Sequence, residues 1–155
     1  MFGMQDCRPS DHPAVAVRLK KDDDSSPLEE NVPYRSAVGV LLWLSRNTRP
    51  DISFAVMQIS RFCDQPTVTH WKAVKMIFRY LKGTIHFGLP ICKQRPENFT
   101  LKIFSDGDHA GDATRKSTGG YLVQLGDVTI IWRCVLFKSI CLSSTESEVV
   151  FLSMA

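Results

Sequence analysis

Residues 68–91 read VTHWKAVKMIFRYLKGTIHFGLPI, and the spacing of the apolar residues in this stretch changes at Gly83. Before Gly83 they recur at helical spacing, which predicts a helix over about 68–82 that ends at the glycine. Its apolar face is expected to consist of Trp71, Val74, Ile77, Phe78 and Leu81. After Gly83 the apolar residues alternate with other residues, which predicts a strand over 85–91. The chain therefore joins a helix-forming part to a sheet-forming part, and we expect a mixed α/β (α+β) fold.

Two more helices are predicted before this stretch. The first, over about 34–47, places Val38, Leu41, Leu42 and Ser45 on one face, and Val40 and Leu44 widen its apolar stripe. The second, over about 50–63, begins at Pro50, which suits a first helical turn. Its inward residues are expected to be Ile52, Ala55, Val56, Ile59 and Phe62. Residues 1–33 are rich in proline and lack apolar periodicity, so they are predicted to be an extended, partly disordered connector.

Downstream of the helices the sequence predicts a sheet and one last helix. Strands are expected over about 85–91, 99–105, 119–125 and 128–134, with a possible short strand near 138–142 and a hairpin turn at Gly126-Asp127. Capping-box spacing in both Ser143-Ser144-Thr145-Glu146 and Thr145-Glu146-Ser147-Glu148 predicts a helix that starts there. The expected division is a connector over 1–33, a helical segment over 34–83, and a sheet with a C-terminal helix over 84–155.

Charge is unevenly distributed along the chain. Residues 1–30 carry a net charge of −3, residues 31–103 carry +8 and residues 104–155 carry −2. Four cations, Lys72, Lys75, Arg79 and Lys82, recur at helical spacing in the predicted third helix. They fit either a solvated basic face or a ridge that tracks phosphates. The absence of acidic residues between positions 65 and 96 favours the phosphate-binding ridge.

Two carboxylates are candidates for metal-dependent chemistry. Asp106 is predicted at the end of a strand, where the chain turns at Gly107 into an acidic loop over 106–112, and Glu148 in the first turn of the last helix. Hydrolysis of phosphodiesters by two metal ions requires carboxylates held close together on rigid elements. The pattern alone is weak, because carboxylates are common in loops and at helix N-termini.

Other classes of protein are disfavoured by what the sequence lacks. Glycine-rich phosphate loops, a nucleophile elbow and an H-E-x-x-H helix are missing, which disfavours NTPases, dinucleotide-binding enzymes, α/β-hydrolases and zinc proteases. Five cysteines without a C-x-x-C pair disfavour a disulfide framework or a zinc site. A secretory signal and a long apolar run are also lacking. We therefore expect a cytoplasmic or nuclear protein that is not secreted and has no membrane partner.

Several sequence blocks together resemble one protein family. The blocks are Pro33–Gly39, Thr48–Val56, Ser60–Phe62, His70–Lys75, Arg79–Thr84, Ser105–Asp112, Arg115–Tyr121 and Leu142–Glu148. In order and spacing they look like the copia-type LTR-retrotransposon Pol polyprotein, from the end of the reverse transcriptase into the RNase H domain. The match extends over nearly the whole chain, and its specificity lies in the set of blocks.

The resemblance implies a truncated RNase H-like domain over 84–155 that follows a helical reverse-transcriptase tail over 34–83, similar to the thumb and connection. It also implies Asp106 and Glu148 as catalytic, Mg²⁺-binding carboxylates for hydrolysis of RNA in RNA–DNA hybrids. The expected partners are such hybrids or other nucleic acid, and the remainder of a Pol polyprotein. The family's polymerase aspartates and its later RNase H aspartates lie outside this chain, so the isolated chain is expected to be inactive. The alternatives are a non-catalytic nucleic-acid-binding remnant and an inert relic product.

Overall fold

The computed structural model describes residues 2–14, 19–21, 24–91, 100–108, 116–137 and 143–154. The chain divides into two compact units, one up to Phe87 and one from Gly88 onward. The described residues contain helices in both units and an antiparallel sheet in the second, so the expected mixed α/β class is confirmed. Among them, no helix is both long enough and apolar enough to span a lipid bilayer.

The first unit is a small helical bundle. Helix α1 spans Tyr34–Asn47, a 3-10 turn spans Pro50–Ile52, α2 spans Ser53–Ser60 and α3 spans Val68–Gly83. The predicted second helix is thus divided, because residues 50–52 adopt the tighter 3-10 form and the α-helical part ends at Ser60. All five residues predicted to face inward from it are buried.

Two predictions about apolar faces were wrong in detail. Val40 does not widen the buried face of α1, since its side chain is 40% exposed. The buried face of α3 contains two polar residues, His70 and Tyr80, that the apolar pattern did not include. The apolar residues Trp71, Phe78 and Leu81 are only partly buried.

The predicted connector packs against these helices. Its described residues form no helix or strand apart from an isolated bridge between Pro27 and Thr67. Leu19 is nonetheless 5% exposed within the helical core, and the ring of Phe2 stacks on that of Phe78 at 5.2 Å between centroids. The described part of residues 2–33 therefore belongs to the same compact unit as the helices.

The predicted strand over 85–91 is absent. Residues 84–86 form a turn and residues 87–91 have no regular structure. The alternating apolar residues Ile85, Phe87 and Ile91 are more than 60% exposed. Alternation predicts a strand only where a neighbouring strand supplies backbone hydrogen bonds, and no described strand pairs with this segment.

The second unit contains a sheet and a helix. Strands β1 (Leu101–Asp108), β2 (Thr118–Leu125) and β3 (Val128–Leu136) pair antiparallel in that order. The predicted hairpin turn is confirmed, and Gly126 adopts a positive φ of 62° that favours glycine. Helix α4 (Ser144–Met154) follows as expected and lies against β1 and β2. The possible strand near 138–142 lies outside the described residues.

Candidate functional site

Helix α3 carries the candidate basic face, and its start is fixed by a capping box. The Thr67 side chain accepts the backbone N–H of His70, while the His70 Nδ1 accepts the backbone N–H of Thr67 at 3.0 Å. The ring hydrogen then lies on Nε2, which donates to the Lys20 carbonyl at 2.9 Å. His70 is fully buried, with the Phe62 ring stacked on it at 3.9 Å. His70 therefore has a structural role, and its burial sets the opposite face of α3 towards the surface.

The four predicted cations share that surface-facing side of α3, although their surroundings differ. Lys72 and Lys82 are exposed, whereas Lys75 and Arg79 are half-buried. Arg79 Nε donates to the Arg8 carbonyl at 2.7 Å, and Lys82 Nζ donates to the Gln5 carbonyl at 2.6 Å. Lys72 and Lys75 form no hydrogen bond or ion pair with another described residue. Two cations are thus directly available to a ligand, and two hold the backbone of the N-terminal segment.

The C-terminal end of α3 is anchored by a network around Arg49. Its guanidinium donates to Asp51 at 2.7 Å between Nη2 and Oδ2 and at 3.0 Å between Nε and Oδ1. It also donates to the carbonyl and the hydroxyl of Thr84. The Tyr80 hydroxyl donates to Asp51 Oδ2 at 2.9 Å. The network ties the loop between α1 and α2 to the last turn of α3, and so holds the basic face in place.

The ionisation of this network follows from its burial and pairing. Burial alone would raise the pKa of Asp51, but the hydrogen bonds from Arg49 and Tyr80, together with the Arg49 charge, outweigh it and lower that pKa. The hydrogen bond to Asp51 raises the pKa of Arg49. Burial, followed by the hydrogen bond to Asp51, raises the pKa of Tyr80.

Sequence reasoning missed this network. Asp51 follows Pro50 at the predicted start of the second helix, where an acidic residue is common, so its type and position did not indicate a buried ion pair. The available signal was an arginine two residues before an aspartate in Thr48-Arg49-Pro50-Asp51, but such pairs are common on surfaces. Their burial depends on Tyr80 and Thr84, which lie about thirty residues further along the chain.

Asp106 lies within β1 and not at its end. The strand continues through Gly107 to Asp108, so the predicted turn at Gly107 is wrong. The reason is that Gly107 pairs with Gly119 and Asp108 with Thr118, which keeps the backbone extended. The exposed Asp106 carboxylate accepts the Gly107 N–H through Oδ1 at 2.9 Å. Residues 109–112 of the predicted acidic loop lie outside the described residues.

On the neighbouring strand β2, the residue opposite Asp106 is a glycine, which has no side chain. Asp106 pairs with Gly120, which in turn pairs with Cys134, so the three residues form one cross-strand row. A Cβ atom at Gly120 would lie 2.8 Å from the Arg133 carbonyl oxygen, so this position requires glycine. Asp108 lies two residues from Asp106 and therefore on the same face of β1.

Glu148 is exposed and lies in the second turn of α4, not in the first as predicted, because the helix begins at Ser144 and Glu146 occupies the first turn. The predicted cap is present, because the Ser143 hydroxyl accepts the Glu146 N–H at 3.1 Å. Since α4 lies against β1, the elements that carry Asp106 and Glu148 are neighbours. The predicted separation of their carboxylates, roughly 4–7 Å for shared metal ions, stays a prediction.

These carboxylates fit magnesium only in part. Their oxygen atoms are the ligands that Mg²⁺ prefers in proteins. Within the described ranges, however, no three acidic, histidine or cysteine side chains come together as a metal site. The described residues therefore supply the correct donor chemistry without a complete set of donors.

Comparisons with known proteins give several relatives. The chain is 43% identical over 127 residues to the secreted RxLR effector protein 161 of Plasmopara viticola, covering 81% of this chain and 88% of that protein. It is 40% identical over 154 residues to the retrovirus-related Pol polyprotein from transposon TNT 1-94 of Nicotiana tabacum. It is 42% identical over 122 residues to the retrovirus-related Pol polyprotein from transposon RE1 of Arabidopsis thaliana.

Coverage differs sharply among these relatives. The aligned residues make up 95% of this chain but 11% of the TNT 1-94 polyprotein, and 78% of this chain but 8% of the RE1 polyprotein. The chain thus corresponds to a short part of these Pol polyproteins. No family model and no solved structure matches the chain.

Proposed function

We propose that this chain, which belongs to the family of retrovirus-related Pol proteins of transposons, is a copia-type Pol fragment whose helical unit binds nucleic acid. The observation that carries the proposal is the basic face of α3, with Lys72 and Lys75 directed away from the core. Residues 31–87, which hold the three helices of this unit, carry eight basic and two acidic residues, a net charge of +6. The proposed ligand is an RNA–DNA hybrid, with other nucleic acids as competitors.

The dimensions of the face suit a phosphate backbone. Ten residues separate Lys72 from Lys82, so the face is about 15 Å long at 1.5 Å per residue. One strand of a duplex presents a phosphate about every 3.4 Å along the axis, so a face of this length spans about four phosphates. The buried polar contacts of His70 and Tyr80 hold α3 in one orientation, which keeps the cations on one side.

The test is the salt dependence of binding to an RNA–DNA hybrid. Changing Lys72→Ala together with Lys75→Ala should reduce the slope of log K against log salt by up to about 1.8, at about 0.9 per phosphate contact. The matched control is Lys102→Ala with Lys116→Ala, which removes the same charge from the other unit. An equal reduction of the slope in the control variant would mean that binding depends on the net charge of the chain and not on this face of α3. Absence of salt-dependent binding by the unmodified chain would favour an inert product.

The second unit supports a further part of the proposal, namely that it derives from an RNase H-like domain. The supporting observation is the adjacency of β1, which carries Asp106, and α4, which carries Glu148. In the ancestral reaction these carboxylates would hold Mg²⁺ during hydrolysis of RNA in a hybrid. When bound, the metal would activate water and stabilise the charge that develops on the leaving oxygen. Asp106 and Glu148 would contribute its oxygen ligands.

The isolated chain is expected to cleave a hybrid negligibly. In hydrolysis by two metal ions, two carboxylates alone would leave at least one of the metals without enough ligands. In addition, α4, which carries Glu148, is a short helix, and short helices depend on packing to stay formed. Two measurements should be made on the unmodified chain and on its Asp106→Asn variant. The first is cleavage of the hybrid in Mg²⁺, and the second is broadening of the NMR signal of the Gly107 amide by Mn²⁺. Asp127→Asn, in the hairpin turn, is the control. Robust cleavage that is lost in Asp106→Asn would show that the chain is an active nuclease.

A further inference from the structure

The N-terminal residues 2–10, here called the strap, cross the C-terminal half of the basic face. Four strap residues contact α3 in sequence order. Phe2 stacks on Phe78, the Gln5 carbonyl accepts from Lys82, the Arg8 carbonyl accepts from Arg79, and the Ser10 hydroxyl donates to Met76 at 3.2 Å. At 100° per residue, the helix presents its side chains around the axis in the order Phe78, Lys82, Arg79, Met76. The strap therefore passes directly over the two cations.

The strap occupies these cations with neutral acceptors. A backbone carbonyl carries only a partial negative charge, whereas a phosphate oxygen carries a formal one. A phosphate adds the attraction between two full charges, which a carbonyl lacks, and it can accept two parallel hydrogen bonds from an arginine. A phosphate that reaches Arg79 or Lys82 thus competes favourably for the same N–H donors.

The strap is also held by few contacts. Each of its residues is exposed or half-buried, and none is fully buried. Besides the side-chain contacts, the Ser10 N–H donates to the Arg79 carbonyl at 3.2 Å. Segments with little buried apolar surface open at a small free-energy cost. Displacement of the strap therefore leaves the helical core intact.

We propose that the strap is a displaceable cover of the phosphate-binding face, an inference that rests on the proposed function. At rest, Lys72 and Lys75 are the cations of this face that are open to a ligand. A nucleic-acid strand that binds them brings its next phosphates against the strap. The phosphates then take the donors of Arg79 and Lys82, and residues 2–10 leave the helix.

The first test removes charge while retaining the donors. Arg79→Gln with Lys82→Gln keeps N–H groups that can still hold the strap carbonyls. If phosphates reach these positions in the complex, the salt slope for an RNA–DNA hybrid falls by about 1.8. An unchanged slope would mean that Arg79 and Lys82 only clamp the strap, and this would overturn the proposal.

The second test loosens the strap itself. Phe2→Ala removes the ring stack and should tighten binding by about 2- to 10-fold at every salt concentration, without changing the slope. Gly83→Ala should act in the same direction, because its Cβ would press on Pro9 and the Ser10 carbonyl at 3.3 Å. Gly39→Ala in α1 is the control, since its Cβ would meet nothing within 4 Å. Equal or weaker binding by both strap variants would contradict a cover.

The third test follows the strap directly by hydrogen exchange. The Ser10 amide should exchange faster when the hybrid is bound, because its bond to the Arg79 carbonyl is lost. Unchanged protection in the complex would refute displacement. If Lys72→Ala with Lys75→Ala leaves the salt slope unchanged, the proposed function fails and the cover fails with it. If the salt slope falls in that variant but the exchange rate of the Ser10 amide is the same with and without the hybrid, only the proposed cover is rejected.

Discussion

Replacing Asp51 by asparagine should destabilise the helical unit strongly, because it leaves the Arg49 guanidinium without its counterion. The Arg49 side chain is 8% exposed and that of Asp51 is 32% exposed. Removing one partner of a buried pair typically costs about 3–5 kcal/mol, whereas an exposed pair contributes about 0–1 kcal/mol. Because Asp51 is partly exposed and Arg49 keeps its bonds to Thr84, we expect a loss of about 2–3 kcal/mol.

A second arginine–aspartate pair provides the matched control. Arg35 and Asp64 lie 3.0 Å apart, but their side chains are 72% and 95% exposed. Asp64→Asn should therefore cost less than about 0.5 kcal/mol. Both variants make the same chemical change, so the difference between them measures the combined effect of burial and of the additional hydrogen bonds that Asp51 accepts from Arg49 and Tyr80.

Urea unfolding at pH 7, followed by helical circular dichroism at 222 nm, measures both free energies of unfolding. Thermal unfolding should show a midpoint lowered by roughly 10–20 °C for Asp51→Asn, at about 4–8 °C per kcal/mol for a unit of this size. If Asp51→Asn costs no more than Asp64→Asn, the network does not stabilise the unit and the reasoning is refuted.

The pH dependence gives the same prediction a second check. The fold lowers the pKa of Asp51, so the unfolded chain takes up the proton first as the pH falls. The stabilisation by Asp51 is then present above the unfolded pKa of about 3.9 and is lost as the pH falls through the folded pKa. Wild-type and Asp51→Asn stabilities should therefore converge below about pH 4. A constant difference down to pH 2 would contradict the assigned role of the charge.

Two further predictions concern the second unit. Gly120→Ala should lower its unfolding free energy by about 1–3 kcal/mol, because the new Cβ would lie 2.8 Å from the Arg133 carbonyl oxygen. Gly88→Ala, which meets nothing within 4 Å, should change stability by less than about 0.5 kcal/mol in the same urea titration. Burial raises the pKa of Cys134 to about 11, so at pH 8.5 its alkylation should be roughly 100-fold slower than in the urea-unfolded chain. Equal alkylation rates would show that the thiol is not buried.

The sequence predicted the helices well because each has local signals. For α3 these signals were the regular apolar spacing from residue 68 onward and the glycine at its end, Gly83, and the structure adds a cap at Thr67. The prediction for residues 85–91 failed because a strand depends on a partner, and alternation of apolar residues does not supply one. Similarly, the sequence predicted that this strand ends at Ser105, whereas β1 ends at Asp108 because its pairing with β2 continues through Gly107.

For the candidate site, the sequence predicted which cations share one face of α3 but not what each of them contacts. A helical face follows from the 3.6-residue period, so Lys72, Lys75, Arg79 and Lys82 could be grouped from spacing alone. The contacts of Arg79 and Lys82 with the strap join residues more than seventy positions apart. No local pattern encodes such a pair.

The sequence by itself therefore determined the three helices of the first unit, the hairpin of the sheet and the position of the basic face, because each depends on residues close in the chain. Only the tertiary structure decided which of the basic residues are open, which polar groups are buried, and that β1 lies beside α4. Tyr80 illustrates the physical reason. Its hydroxyl can be buried because it donates a hydrogen bond to Asp51, which lies twenty-nine residues earlier in the chain. A buried polar group without such a partner would destabilise the fold.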